Sequence, residues 1–148
     1  MSKRKKYYAA YGSNLNRAQM AWRCPSARIA GPSVMKGWRL LFRGAQRGAV
    51  ATVEPCQGAA VPILVWEITP ADEAALDRYE GWPVLYRKET VTVTLNGKRV
   101  KAMVYIMNEG RPSGQPSAFY YSTILEGYMD AGFESRTLLE AVHVSGCQ

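Results

Sequence analysis

Two short stretches hold the side chains whose types and spacing could do chemistry. The first is Tyr11-Gly12-Ser13-Asn14-Leu15, which follows the apolar run Tyr7-Tyr8-Ala9-Ala10 and precedes a helical pattern at Arg17–Trp22. A strand that breaks at Gly-Ser-Asn and restarts as a helix turns backbone N–H donors towards one point, which suits a carboxylate or a phosphate. A plain strand-to-helix turn capped by Asn14 or Asn16 explains the same spacing, and on spacing alone it is the commoner case. The second stretch is Leu76-Asp77-Arg78-Tyr79-Glu80-Gly81-Trp82-Pro83. Here Glu80 ends a helix, where a carboxylate meets the negative end of the helix dipole. If Tyr79 and Trp82 cover it, its pKa rises towards that of a general base poised near neutrality. A solvent-exposed glutamate before a C-cap glycine is the alternative.

Composition narrows the chemistry further. The sequence has 148 residues, 47% hydrophobic and 21% charged, enough for one domain spanning 1–148 with its own core. The three cysteines, Cys24, Cys56 and Cys147, form neither a zinc spacing nor a disulfide framework. His143 is the single histidine, so a Cys/His metal site and a Ser/His/Asp triad are both disfavoured. Carboxylates, hydroxyls and backbone are left to carry any reaction. A net charge of +7 raises the question of nucleic acid, yet only Lys3 to Lys6 cluster. A solvated basic surface, attractive to an anionic small molecule, is the better reading. Neither a membrane span nor a signal peptide is expected, so a cytoplasmic location is the default.

The elements that must position these residues are legible in outline. A strand is expected at Lys6–Tyr11, weak strand at Ala27–Val34, and further strands at Trp38–Phe42, Val50–Glu54 and Val61–Ile68. Thr69-Pro70-Ala71-Asp72 opens a helix by a capping box, which buries Ala71, Ala75, Leu76 and Tyr79 and closes at Gly81. Asp72 is read as the cap partner. Asn96-Gly97 is a hairpin turn that pairs Leu95 with Lys98, Val93 with Val100 and Val91 with Ala102. Glu89, on that hairpin, is expected to pair with Arg87 or a lysine. Ser117 caps a helix that carries Tyr120, Ile124 and Tyr128 and ends at Gly132, and Ser135 opens a last helix. Tyr120 could place a phenol at that helix start, although a buried tyrosine more often satisfies a backbone group. The order of elements gives an α+β domain whose twisted sheet is expected to close into a small barrel.

Together these stretches resemble the γ-glutamylcyclotransferase family. The resemblance rests on Tyr8-Ala9-Ala10-Tyr11-Gly12-Ser13-Asn14-Leu15, Val65-Trp66-Glu67-Ile68, Leu76-Asp77 with Glu80-Gly81 and Tyr86, Val104-Tyr105-Ile106-Met107, and Pro116–Tyr120 with Gly127. It implies a mixed, closed barrel of about six strands flanked by helices. It also implies that Tyr8, Ala9, Ala10, Tyr11, Gly12, Ser13, Asn14, Leu15 and Tyr120 bind substrate and that Glu80 is the catalytic base. The implied reaction releases 5-oxoproline from a γ-glutamyl amino acid or amine, needs no metal or organic cofactor, and takes place in a monomer or homodimer. Two other classes stay open: a fold relative that binds an anionic metabolite without turnover, and a basic nucleic-acid-binding module. Glu80 argues against the first, because a binder of anions gains nothing from a carboxylate in its pocket.

Overall fold

A computed structural model describes residues 5–146, so Lys3 and Arg4 of the basic cluster and Cys147 lie outside the described residues. Five strands and four helices follow one another as β1 (Lys6–Ala10), α1 (Arg17–Arg23), β2 (Arg28–Arg43), β3 (Val50–Ile68), α2 (Pro70–Glu80), β4 (Tyr86–Leu95), β5 (Lys98–Met107), α3 (Ala118–Ala131) and α4 (Arg136–Gly146). The strands form one mixed sheet in the order β2-β3-β1-β5-β4. Its one parallel ladder joins β1 to β5, with Tyr8 beside Met103, while β1 runs antiparallel to β3. Among the described residues no helix is long and apolar enough to cross a membrane.

The expected closed barrel of about six strands is not formed. Among the described residues there are only five strands, and the sheet edges β2 and β4 share no ladder. The edges meet instead through a side chain, with Ser33 Oγ donating to the Thr94 carbonyl. Fewer strands result because segments expected to be separate are continuous: Arg28–Arg43 runs for 16 residues and Val50–Ile68 for 19. Gly31 and Gly37, at φ 153° and 84°, sit at the two register shifts of the β2–β3 pair. Their conformational freedom lets the strand bend through a bulge where another residue would end it.

The local signals elsewhere give the elements they should. Thr69 and Asp72 form a reciprocal capping box, Pro70 opens α2, and Gly81 closes it in the left-handed region at φ 68°. Of the face expected to be buried, Leu76 is fully enclosed and Ala75 packs on the core, whereas Ala71 and Tyr79 are exposed. The hairpin keeps its register from Leu95–Lys98 to Tyr86–Met107, and Glu89 pairs with Arg87. Ser117 Oγ accepts the Tyr120 N–H, and Gly132 ends α3 at φ 78°.

Helix α3 reaches the opening loop through Gly127. A Cβ there would stand 2.7 Å from the Leu15 carbonyl carbon and 2.9 Å from the Asn16 nitrogen. That backbone is itself held, since Asn16 donates to the Thr123 carbonyl at 3.0 Å. Gly127→Ala gains up to about 1 kcal/mol of helix propensity, but separating two packed backbones costs about 1–3 kcal/mol. The clash wins. Urea denaturation should show a net loss of stability, with the loop displaced from α3.

Candidate active site

The first stretch builds its pocket wall from a one-turn 3₁₀ segment, Ser13–Leu15, that precedes α1. Leu15 and Asn16 turn their N–H groups back onto the Gly12 and Ser13 carbonyls at 3.0 Å. Asn16 is the helix cap, its side chain accepting the Gln19 N–H at 3.0 Å. Asn14 is therefore free of capping and is fixed into the pocket from three directions. Its amide donates to the Tyr8 hydroxyl at 2.9 Å, its carbonyl oxygen accepts from Arg23, and its backbone carbonyl takes the Trp66 indole N–H at 3.1 Å. The pocket wall of this stretch therefore comes from the tight turn and not from the helix start.

Glu80 faces this turn from the end of α2. Gly81 and Trp82 direct their N–H groups to the Arg78 and Asp77 carbonyls, so the last turn is closed. The helix is clamped to the sheet by the Asp77 carboxylate, which accepts the Tyr105 hydroxyl at 2.6 Å and pairs with Lys88 at 2.9 Å. Lys88 also stands 4.1 Å over the Trp82 ring. Trp82 thus serves the clamp and does not wall the pocket, whereas Tyr79 shares a hydrogen bond of 2.8 Å with Ser13.

The walls are Tyr8, Tyr11, Gly12, Ser13, Asn14, Ala51, Glu80, Tyr86, Tyr105 and Tyr120. The two sequence stretches and Tyr120 therefore meet in one place. Ala9, Ala10 and Leu15, also expected at the site, are buried in the core and do not line it. Sequence reasoning assigned no role to Tyr86, Tyr105 and Ala51. Ala51 is pinned between two phenols, donating its N–H to Tyr120 at 3.0 Å and accepting from Tyr86 at 2.5 Å. Tyr105 gives its ring edge to Tyr8 and its carbonyl to the Tyr11 hydroxyl at 2.6 Å. The available signal was the unbroken apolar run Ala102–Met107, which marks a strand buried on both faces and hence a phenol in need of partners. Larger surface grooves, such as the one between α3 and α4 lined by Tyr121, Leu139 and His143, lie away from Glu80.

Electrostatics separate one group from the rest. Burial pushes the Glu80 carboxyl up to about 7, against the Arg23 charge, which pulls it down. Part of the Glu80 residue reaches solvent, but it is the carboxyl, set among the pocket phenols, that is desolvated. Burial is also the largest cause raising Tyr8, Tyr11, Tyr86, Tyr105 and Tyr120. These phenols stay neutral at pH 7. The pocket thus sets one acid–base group near neutrality within a wall of neutral phenols.

Comparison with known proteins gives the family. Residues 8–123 match the family model for gamma-glutamyl cyclotransferase, AIG2-like. The chain belongs to that family. It is 31% identical over 134 residues to gamma-glutamylcyclotransferase of Bos taurus, covering 84% of this chain and 71% of the relative, and 28% identical over 137 residues to that of Homo sapiens, with the same coverage. A solved gamma-glutamyl cyclotransferase superposes with a TM-score of 0.83 at 26% identity, covering 93% of this chain and 86% of the other. This is a γ-glutamylcyclotransferase-like enzyme.

The raised Glu80 pKa has a cost in stability with a definite sign. Between the ordinary carboxylate value and about 7, the folded state holds a proton that the unfolded state has lost. Stability is therefore lost as pH rises through that window. Glu80→Gln removes the effect, so its melting temperature should exceed the wild type's at pH 8 by more than at pH 4.5. Arg23→Gln should move the Glu80 titration above about 7, followed by carboxyl ¹³C NMR, since the guanidinium lowers it.

Proposed function

We propose that this chain converts a γ-glutamyl amino acid or γ-glutamyl amine into 5-oxoproline and the free amine, with Glu80 as the general base. The observation that carries this reading is a carboxyl held at about 7 opposite the Gly12, Ser13 and Asn14 turn and a wall of neutral phenols in one pocket. The substrate's own α-amine is the nucleophile, and as an ammonium it cannot attack. Glu80 takes its proton, and the freed amine attacks the γ-carbonyl carbon to close a five-membered ring. A second proton passes from the attacking nitrogen to the departing one as the carbon–nitrogen bond breaks. The amine leaves as an ammonium after Glu80 returns the first proton, and the carboxylate finishes ionised as it began.

Attack within one molecule places the burden on holding the folded-back conformer. In this reading Tyr11, Gly12, Ser13 and Asn14 hold the α-carboxylate and set that conformer, with Tyr8 fixed through Asn14. Neutral donors of the same wall steady the developing oxyanion. Tyr120 contributes position: its hydroxyl, committed to the Ala51 N–H, sets the far side of the pocket.

The test is 5-oxoproline release from a panel of γ-glutamyl amino acids and amines. Wild type should release it, with kcat/KM climbing as pH passes about 7 because the base must be ionised. Glu80→Gln should lose about 10²–10⁴-fold in kcat while remaining folded. Equal rates for the two proteins would remove Glu80 from the mechanism. Silence of the wild type across the panel would count against turnover of this substrate class.

A further inference from the structure

The pocket is too small for the substrate proposed to fill it. Its free volume is about 20 Å³, room for roughly one water molecule. A γ-glutamyl group is several times larger, so something over the pocket must move. The walls themselves are poor candidates, since Tyr8, Tyr11, Tyr86 and Tyr105 are buried and hydrogen-bonded or packed into the sheet.

Tyr79 is different. It is 43% exposed, yet its hydroxyl reaches inward to Ser13, which is only 6% exposed. Arg23 lies flat on the outer face of the assembly, its guanidinium carbon 3.4 Å from the Tyr79 ring centroid, and donates to Asn14 and Gln19. The phenol also acts electrostatically on Tyr86 and Tyr120, on the opposite walls. Its hydroxyl therefore bridges the end of α2 to Ser13, a residue of the pocket wall.

We infer that Tyr79 is a cover that the substrate displaces: it occupies Ser13 in the empty enzyme, and an oxygen of the entering γ-glutamyl group takes Ser13 from it. This rests on the cyclotransferase reading above. The residue is thereby a determinant of specificity. A ligand without an oxygen to offer Ser13 leaves the hydroxyl unpaired on opening the cover, and such a loss is heavily penalised in a closed site. The Arg23 stack gives the phenol a defined resting place without locking it, as cation–π contacts at exposed sites are weak.

The cover also keeps water from Glu80, so removing it has a readout that needs no substrate. The charged and titratable groups that face Glu80 are Arg23 from α1, Tyr8 from β1, Tyr11 just after it, Tyr86 from β4, Tyr105 from β5 and Tyr120 from α3. The five phenols stay neutral through the range, which leaves the Glu80 titration as a clean report of its solvation.

Two variants test the cover, and both alter a surface side chain whose loss the core does not feel. Tyr79→Phe keeps the ring under Arg23 but frees Ser13. Its KM for γ-glutamyl substrates should fall by about two- to tenfold, the range of one neutral hydrogen bond, with kcat little changed. Tyr79→Ala opens the mouth, so carboxyl ¹³C NMR should show Glu80 titrating roughly one unit or more below wild type. A KM that rises in Tyr79→Phe would mean that the phenol binds substrate instead of yielding to it, and would overturn the proposal. So would a Glu80 titration unmoved in Tyr79→Ala. Wild type that releases no 5-oxoproline defeats the cyclotransferase reading separately, and the titration still decides whether Tyr79 covers the pocket.

Discussion

Keeping one carboxylate dry at the end of a helix is the constraint on which the rest of this structure turns. Desolvation opposes ionised Glu80, and so does the adverse end of a helix dipole. Arg23 offsets part of that penalty from outside the pocket. The remainder is met by rigidity. Asp77, one helical turn before Glu80, is tied to the Tyr105 hydroxyl, and Lys88 ties the same carboxylate to β4. A carboxylate on a freely fraying helix end would rotate into water and revert to an ordinary acid, so the clamp on Asp77 is as necessary to the raised pKa as the pocket walls.

Tyrosine is well suited to wall such a pocket. A phenol packs like a hydrocarbon and so desolvates its neighbour, yet its hydroxyl remains available to pair. Here most of those hydroxyls are spent on backbone: Tyr11 on the Tyr105 carbonyl, Tyr86 and Tyr120 on the two sides of Ala51. Of these, Tyr86 also ties β4 to β3, two strands that share no ladder, and Tyr120 ties α3 to β3. Thr52 does a similar service next door, accepting the Met107 N–H at 2.9 Å where β3 passes β5.

What was legible in the sequence follows the range of the interactions involved. Capping at Thr69 and Asp72, the left-handed Gly81, the Asn96-Gly97 turn and its register are set by contacts a few residues apart, and each is as expected. Glu80 was found because a carboxylate in an unfavourable local place calls for an explanation. The failures were long-range. Strands β2 and β3 looked like four segments because glycines that bend a strand and glycines that end one share a local signature. Closure of the barrel depends on how edges 60 residues apart meet, as Ser33 and Thr94 do, and no periodicity reports that. Tyr86 and Tyr105 were visible as landmarks, but a phenol's partner lies in another strand. Arg23 and Tyr79 are brought together by tertiary packing alone.

The single parallel ladder has a consequence for how this molecule comes into being. Strand β1 is made first and stands in the middle of the sheet, between β3 and β5. Its partners near Tyr7 and Tyr8 are Trp66 and Glu67 on one side and Ala102 and Met103 on the other. During synthesis the segment Tyr7–Ala10 must therefore wait for β3 on one side and, longer, for β5 on the other. Pairings of such long sequence separation form slowly and leave apolar segments exposed in the meantime. The loop that would hold the substrate is joined directly to that strand, so the site has no partial form: it is completed only when α3 brings in Tyr120.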